Sequence, residues 1–180
     1  MTIKITSDST CDLSSELLER YQVTLLPLCV NLGDKSYFDG DDITPADIFD
    51  HVSKTGQLPT TSATNISTYM DFFAPLAEQY EAVIHINIGS GFSSCHQNAR
   101  LAAEEMDNVY VIDSCNLSTG QGLVVIEAAL AAQRGEKAED IVAMLNELTG
   151  RIDTSLLWTS WIIWSRVAAA PPPPRWAPTC

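Results

Sequence analysis

Two patterns in the sequence predict an α/β fold with a mostly parallel sheet flanked by helices. Between residue 2 and about residue 150, short β-branched runs alternate with longer segments whose apolar residues recur at helical spacing, the signature of βαβ units. AVIHINI (82–88) is nearly continuous in apolar residues and NVYVIDS (108–114) is a second run of that kind, as expected of strands covered on both faces. At 180 residues the chain can bury one substantial core. It is short for two complete α/β domains.

Taken in order, IKIT (3–6) is the first strand, and a helix over 14–21 follows, capped by Asp12 or Ser14. TLLPLCV (24–30) is a second strand, which Pro27 confines to an edge or a bulge. Thr44, Pro45 and Asp47 supply an N-cap, a first-position proline and a first-turn acid, so a helix runs from 45 to about 54. ISTYMDFFAPLAEQY (66–80) is amphipathic despite Pro75, with Tyr69, Met70, Phe72, Phe73 and Leu76 as its apolar residues. Two more helices cover 119–135 and 137–150, each predicted to end at a glycine.

Composition excludes several functions. A net charge of −13 argues against nucleic acid and against membrane surfaces, because both need clustered Lys and Arg. The start, MTIKITSDST, carries no basic flank and long apolar stretch, so no secretory leader and no membrane span are expected, and a cytoplasmic location follows. Five scattered cysteines with no C-x-x-C pair predict reduced thiols. Cys95 and His96 at a helix start could lower a thiol pKa, but no further ligand stands at metal spacing.

The chemistry lies in the turns. GSGFSS (89–94) joins an apolar strand to a helix. It lacks the Gly-Lys-Ser/Thr of a phosphate-binding loop, lacks the third glycine of G-x-G-x-x-G, and breaks G-x-S-x-G at Cys95. What remains is backbone N–H groups at a helix N-terminus with the hydroxyls of Ser93 and Ser94, able either to cap the helix or to hold a carboxylate or phosphate oxygen. PTTSATN (59–65) is a second hydroxyl-rich turn before a helix, and a parallel sheet gathers such turns at one edge. Asp8-Ser9-Thr10 is a third polar turn at that edge, or a cap for the first helix. Asp39-Gly40-Asp41-Asp42 lacks the distal glutamate of a calcium loop and reads as a solvated turn.

The ordered set of motifs resembles the DegV family. SDSTCDL, VTLLPL and SYFDGDDITP resemble that family's DST-x-DL, V-x-PL and Y-x-DG-x-DI-[ST]-P; PTTSATN resembles P-x-TSQPS; GFSSCHQNARLAAEE resembles LSGTYQSA-x-LAAEE; VYVIDSCNLSTGQGLVVIEAA resembles the family's DS-x-x-S-x-G-x-G block. The match is collinear from residue 3 to about 155. The resemblance implies a bacterial, non-catalytic carrier with two α/β domains that binds a long-chain fatty acid such as palmitate, needs no cofactor or metal, and presents the acyl chain to an ATP-dependent fatty-acid kinase. Carried over by position, Thr61 and Ser93 are the carboxylate contacts, with Ser62, Ser94 and Ser9 as further candidates. Ala63-Thr64 stands for Gln-Pro and Ser94-Cys95-His96 for Gly-Thr-Tyr, so Ser94 could crowd the anion. The alternative is a serine-dependent hydrolase or acyltransferase using Ser93 with His96.

Near residue 155 the chain changes character. All four tryptophans and five of nine prolines follow it, and no acid occurs after Asp153. Since tryptophan has a single codon, a one-base shift forces Asp at Trp158-Thr159 and Trp161-Ile162 and Gly at Trp176-Ala177. With allowed synonyms that frame reads DKLDYLVKGGRCSAAAALGANLL, close to the family's continuation. The expectation is therefore a lipid-binding N-terminal domain over 1–155, a frameshifted, non-native tail over 156–180, and no second domain, with acyl binding impaired by the truncation. A native tail serving as an interaction module is the other reading.

Overall fold

The structure, a computed structural model, describes residues 2–155; the expected tail over 156–180 lies outside them. Four parallel strands form the central sheet: β1 (Ile3–Asp8), β2 (Thr24–Leu26), β6 (Ala82–Asn87) and β7 (Val109–Asp113), in the order β2-β1-β6-β7. Thr6 pairs with Thr24 on one side and with His85 on the other, while Val83 to Asn87 pair with Val109 to Asp113.

Two helical layers cover this sheet. On one face α1 (Ser15–Tyr21), α5 (Ser118–Gln133) and α6 (Ala138–Thr149) enclose Ile5, Ile84, Ile86, Ile112, Val124, Val125, Ile141 and Leu145. On the other face α3 (Ile66–Gln79) and α4 (Cys95–Ala103) enclose Tyr69, Phe73, Val83, Cys95, Ala99 and Val109. Strand β6 is buried at all six positions, which is why its sequence runs nearly continuously apolar. α5 meets the sheet with small residues, and a Cβ on Gly122 would lie 2.6 Å from the Cys11 carbonyl oxygen, so glycine is what allows this close approach.

A second, antiparallel sheet was not foreseen. It consists of β3 (Cys29–Leu32), β4 (Lys35–Phe38) and β5 (Thr60–Ser62), in the order β4-β3-β5. The expected single strand over 24–30 is split at Pro27: Thr24–Leu26 ends the parallel sheet and Cys29 begins the antiparallel one. Proline has no N–H for a ladder, so the chain changes sheets there. PTTSATN is likewise not simply a turn, because Thr60–Ser62 pairs with Asn31, Val30 and Cys29.

Local signals set the helix starts. Ser14, rather than Asp12, caps α1 by accepting the Leu17 N–H. Thr44 and Asp47 form a reciprocal capping box on α2 (Pro45–Thr55), and Asn65 caps α3 by accepting the Thr68 N–H. After α5, Gly135 takes the expected left-handed conformation with φ 77°, whereas Gly150 ends α6 with φ −72° and needs no glycine for its backbone. Cys11, Cys29 and Cys95 are free thiols.

Candidate functional site

The carboxyl ends of the parallel strands define the edge where an α/β sheet presents its loops. Across that edge β1, β6 and β7 end in Asp8, Asn87 and Asp113. Asn87 is paired with Asp113, and Asp8 lies one residue beyond the Ser7–Ile86 pair. The GSGFSS turn rises from the middle strand of this row and leads into α4.

Beneath the turn is a buried polar network. Asp8 is fully buried; its Oδ1 accepts from Gln121 Nε2 at 2.7 Å and from Thr10 Oγ1 at 2.5 Å, and its Oδ2 accepts the Ile88 N–H at 2.7 Å. Gln121, also fully buried, has Oε1 2.8 Å from Thr10 Oγ1, which has a single proton to share between it and Asp8, and donates to Ser7 Oγ through Nε2. His85 lies 2.9 Å from Thr6 Oγ1 through Nδ1 and 3.1 Å from Asn87 Nδ2 through Nε2. The Asn87 amide also donates to Tyr69 Oη. Burial, with the neighbouring His96 adding to it, pushes the His85 pKa down to about 3, so the ring is neutral at ordinary pH. The rings of Tyr69, Phe72 and Phe73 pack around it with centroids 5.2–6.0 Å away.

Above the network the turn keeps polar groups at the surface. Ser93 is half-buried; its Oγ accepts the Cys95 N–H at 3.2 Å and lies 3.2 Å from Cys95 Sγ. Ser94 is exposed and stands at the N-cap of α4, yet its side chain makes no capping bond. The remaining first-turn N–H groups of α4 have no intrahelical acceptor, and the helix dipole makes this end partly positive. The arrangement can hold an anion. The hydroxyl of Ser93 engages Cys95, and among the described residues no hydrogen bond joins it to His96. The His96 pKa is lowered, chiefly by burial and opposed by Asp113, and its buried Nδ1 has no partner among the described residues.

The other expected contacts lie on neighbouring elements. Thr61 sits in the middle of β5, exposed and paired across the ladder with Val30. Ser62 Oγ accepts from Asn31 Nδ2 at 2.8 Å. Ser9 Oγ accepts the Leu28 N–H at 3.2 Å, fastening the end of β1 to the segment where the chain changes sheets. Asn98 Nδ2 of α4 donates to the Thr64 carbonyl at 2.8 Å and so ties the segment after β5 to the helix after the serine turn. No hydrogen bond joins Thr61 directly to Ser93 among the described residues. The aspartates of the strand-end row were missed as structural supports of the turn. Their signal was present: each apolar strand stops at an acid or amide directly before its loop.

The Asp39–Asp42 segment is a turn, in which Asp42 Oδ2 accepts the Phe38 N–H. Among the described residues no group of three or more His, Cys, Asp or Glu is arranged to hold a metal, and no helix is long and apolar enough to cross a membrane.

The domain is a three-layer α/β unit with hydroxyl residues and the start of α4 at the carboxyl edge of its sheet. Residues 2–160 match the family model described as an uncharacterised protein of the DegV family, and the chain belongs to that family. A DegV domain-containing protein of Clostridium perfringens is 34% identical over 160 residues, covering 88% of this chain and 57% of its own length. Among solved structures, a DegV family protein of Thermus thermophilus described by its fatty acid binding superposes with a TM-score of 0.77 at 33% identity, over 83% of this chain and 54% of that one. DegV of Bacillus subtilis, described as a fatty acid binding protein, gives a TM-score of 0.77 at 30% identity over the same shares. The chain thus spans about half the length of the relatives it matches.

Proposed function

We propose that the chain is a lipid carrier that binds a long-chain fatty acid, with the carboxylate held at Thr61 and Ser93 and by the N–H groups at the start of α4. Ser62, Ser94 and Ser9 are further contacts of the head group. The observation that carries this reading is the superposition on a fatty-acid-binding DegV family protein at 33% identity, over a stretch that includes both hydroxyl segments. The start of α4 supports it, since Ser94 makes no capping bond and a carboxylate would meet first-turn N–H groups beyond that of Cys95, which Ser93 Oγ accepts.

Burial of a palmitate chain at about 0.8 kcal/mol per methylene supplies on the order of 10 kcal/mol before the costs of immobilisation. A charge-assisted hydrogen bond adds about 1–3 kcal/mol. Apolar contact therefore sets the affinity, and the polar groups select a carboxylate and fix its orientation. Ile66 and Met70, one turn apart on α3, and Phe92 in the serine turn are partly exposed apolar groups close in sequence to the two hydroxyl segments. They are suited to the first part of the acyl chain. An ATP-dependent fatty-acid kinase is the partner this reading implies.

Titration of the delipidated 180-residue chain with palmitate tests the proposal and shows whether this length of chain suffices. Ser93→Ala and Thr61→Val are each expected to weaken binding about tenfold, the worth of one charge-assisted hydrogen bond. Palmitate binding left unchanged by both substitutions would remove the residue assignment. No saturable binding by the unsubstituted chain would remove the carrier reading for it. For the partner, a fatty-acid kinase should phosphorylate palmitate faster with the chain present than without it.

A further inference from the structure

We infer that Asp8 and Asp113 are positioning residues for the serine turn: two carboxylates, one on each strand flanking β6, clamp the start of that turn and aim its remaining donors outward. This rests on the reading that the turn receives a carboxylate.

The geometry is two-sided. Asp8 ends β1 and its Oδ2 accepts the Ile88 N–H at 2.7 Å. Asp113 ends β7 and its Oδ1 accepts the Ser90 N–H at 3.0 Å. The residue between them is held as firmly, because the Gly89 N–H donates to the Asn116 carbonyl at 2.7 Å. A Cβ on Gly89 would lie 2.9 Å from the backbone of Cys115 and Asn116, so the turn is pressed against the loop after β7. Three consecutive N–H groups, 88 to 90, are thus committed within the protein.

Each clamp is braced in turn. Asp8 is fixed by Gln121 and Thr10, both reaching it from the α5 side of the sheet. Asp113 Oδ1 also accepts the Cys115 N–H at 2.9 Å, which sets the start of the following loop. With residues 88–90 immobilised, the orientation of Ser93, Ser94 and the start of α4 is decided before any ligand arrives. Such preorganisation raises affinity for the anion without a direct contact to it.

The test separates aiming from mere stability by comparing palmitate with hexadecanol, which shares the chain length and lacks the charge. In Asp113→Ala the Ser90 and Cys115 amides should exchange hydrogen at least about tenfold faster while amides of β1 and β6 keep their protection, as loss of one braced hydrogen bond implies. Preference for palmitate over hexadecanol should fall by a similar factor. Asp113→Asn retains the one oxygen that this carboxylate uses and should restore most of both, whereas Asp8→Asn loses one of the two oxygens that Asp8 uses and should expose the Ile88 amide while Ser90 keeps its protection. Equal loss of affinity for both lipids in Asp113→Ala, or unchanged protection of Ser90, would overturn the proposal. If the unsubstituted chain binds both lipids equally, the carboxylate reading of the turn fails and the aiming role with it, whereas a failed exchange experiment leaves the carrier reading standing.

Discussion

The two hydroxyl segments belong to regions built in opposite ways. The serine turn stands on the parallel sheet, where β6 is buried at every position and the polar residues beneath it are bonded to one another. Thr61 stands on the antiparallel sheet, where β5 is exposed at all three residues, β4 is largely exposed, and the nearby helix α2 buries no residue fully. A few side chains, among them Leu28, Val30 and Ile43, are buried there. One segment is therefore held by a core, and the other chiefly by backbone ladders. Local opening should begin in the second region, because few apolar contacts oppose it.

The largest effect expected from this contrast is on the core. Phe73→Ala removes a fully buried ring from between α3 and the sheet and should cost about 3–5 kcal/mol in denaturant unfolding. Phe49→Ala on α2, where the ring is 72% exposed, should stay within about 0.5 kcal/mol. Comparable losses from the two would erase the distinction between the regions.

An intermediate effect follows from His85. Below the ordinary histidine pKa the unfolded chain takes up a proton that the buried ring refuses until about pH 3. The contribution is fully present above about pH 6.5 and is lost as pH falls from there toward 3, with a slope approaching about 1.4 kcal/mol per pH unit. Urea midpoints measured from pH 7 to 5 should fall more steeply for the natural chain than for His85→Gln. Parallel curves would place the acid sensitivity elsewhere.

The smallest effect sharpens the comparison on the exposed side. Thr44→Ala breaks the capping box of α2 and should cost about 1 kcal/mol. Amide exchange should quicken within α2 and the antiparallel sheet while β6 is unaffected. Loss of protection in β6 as well would mean that the two regions open as one.

How much could be read in advance differs between the regions for the same reason. The strand at 82–87, the helices at 45–55 and 66–79, and the capping role of Thr44 announce themselves through nearest neighbours along the chain. Thr60–Ser62 carries no apolar alternation and becomes a strand only because Asn31, Val30 and Cys29 offer it a ladder. Asp8 has the same history: in sequence it opens a polar turn, and only donors from residues 10, 87, 88 and 121 make it a buried hub.

By itself, then, the sequence determined the α/β alternation, the starts of the capped helices, the hydroxyl residues of both segments and the family they belong to. These follow from short-range patterns of burial, capping and motif spacing. Tertiary structure alone decided that Pro27 divides one strand between two sheets, that Thr61 lies on a ladder and that two aspartates brace the serine turn. Those outcomes depend on which distant N–H meets which acceptor, and that pairing is settled only when the strands come together.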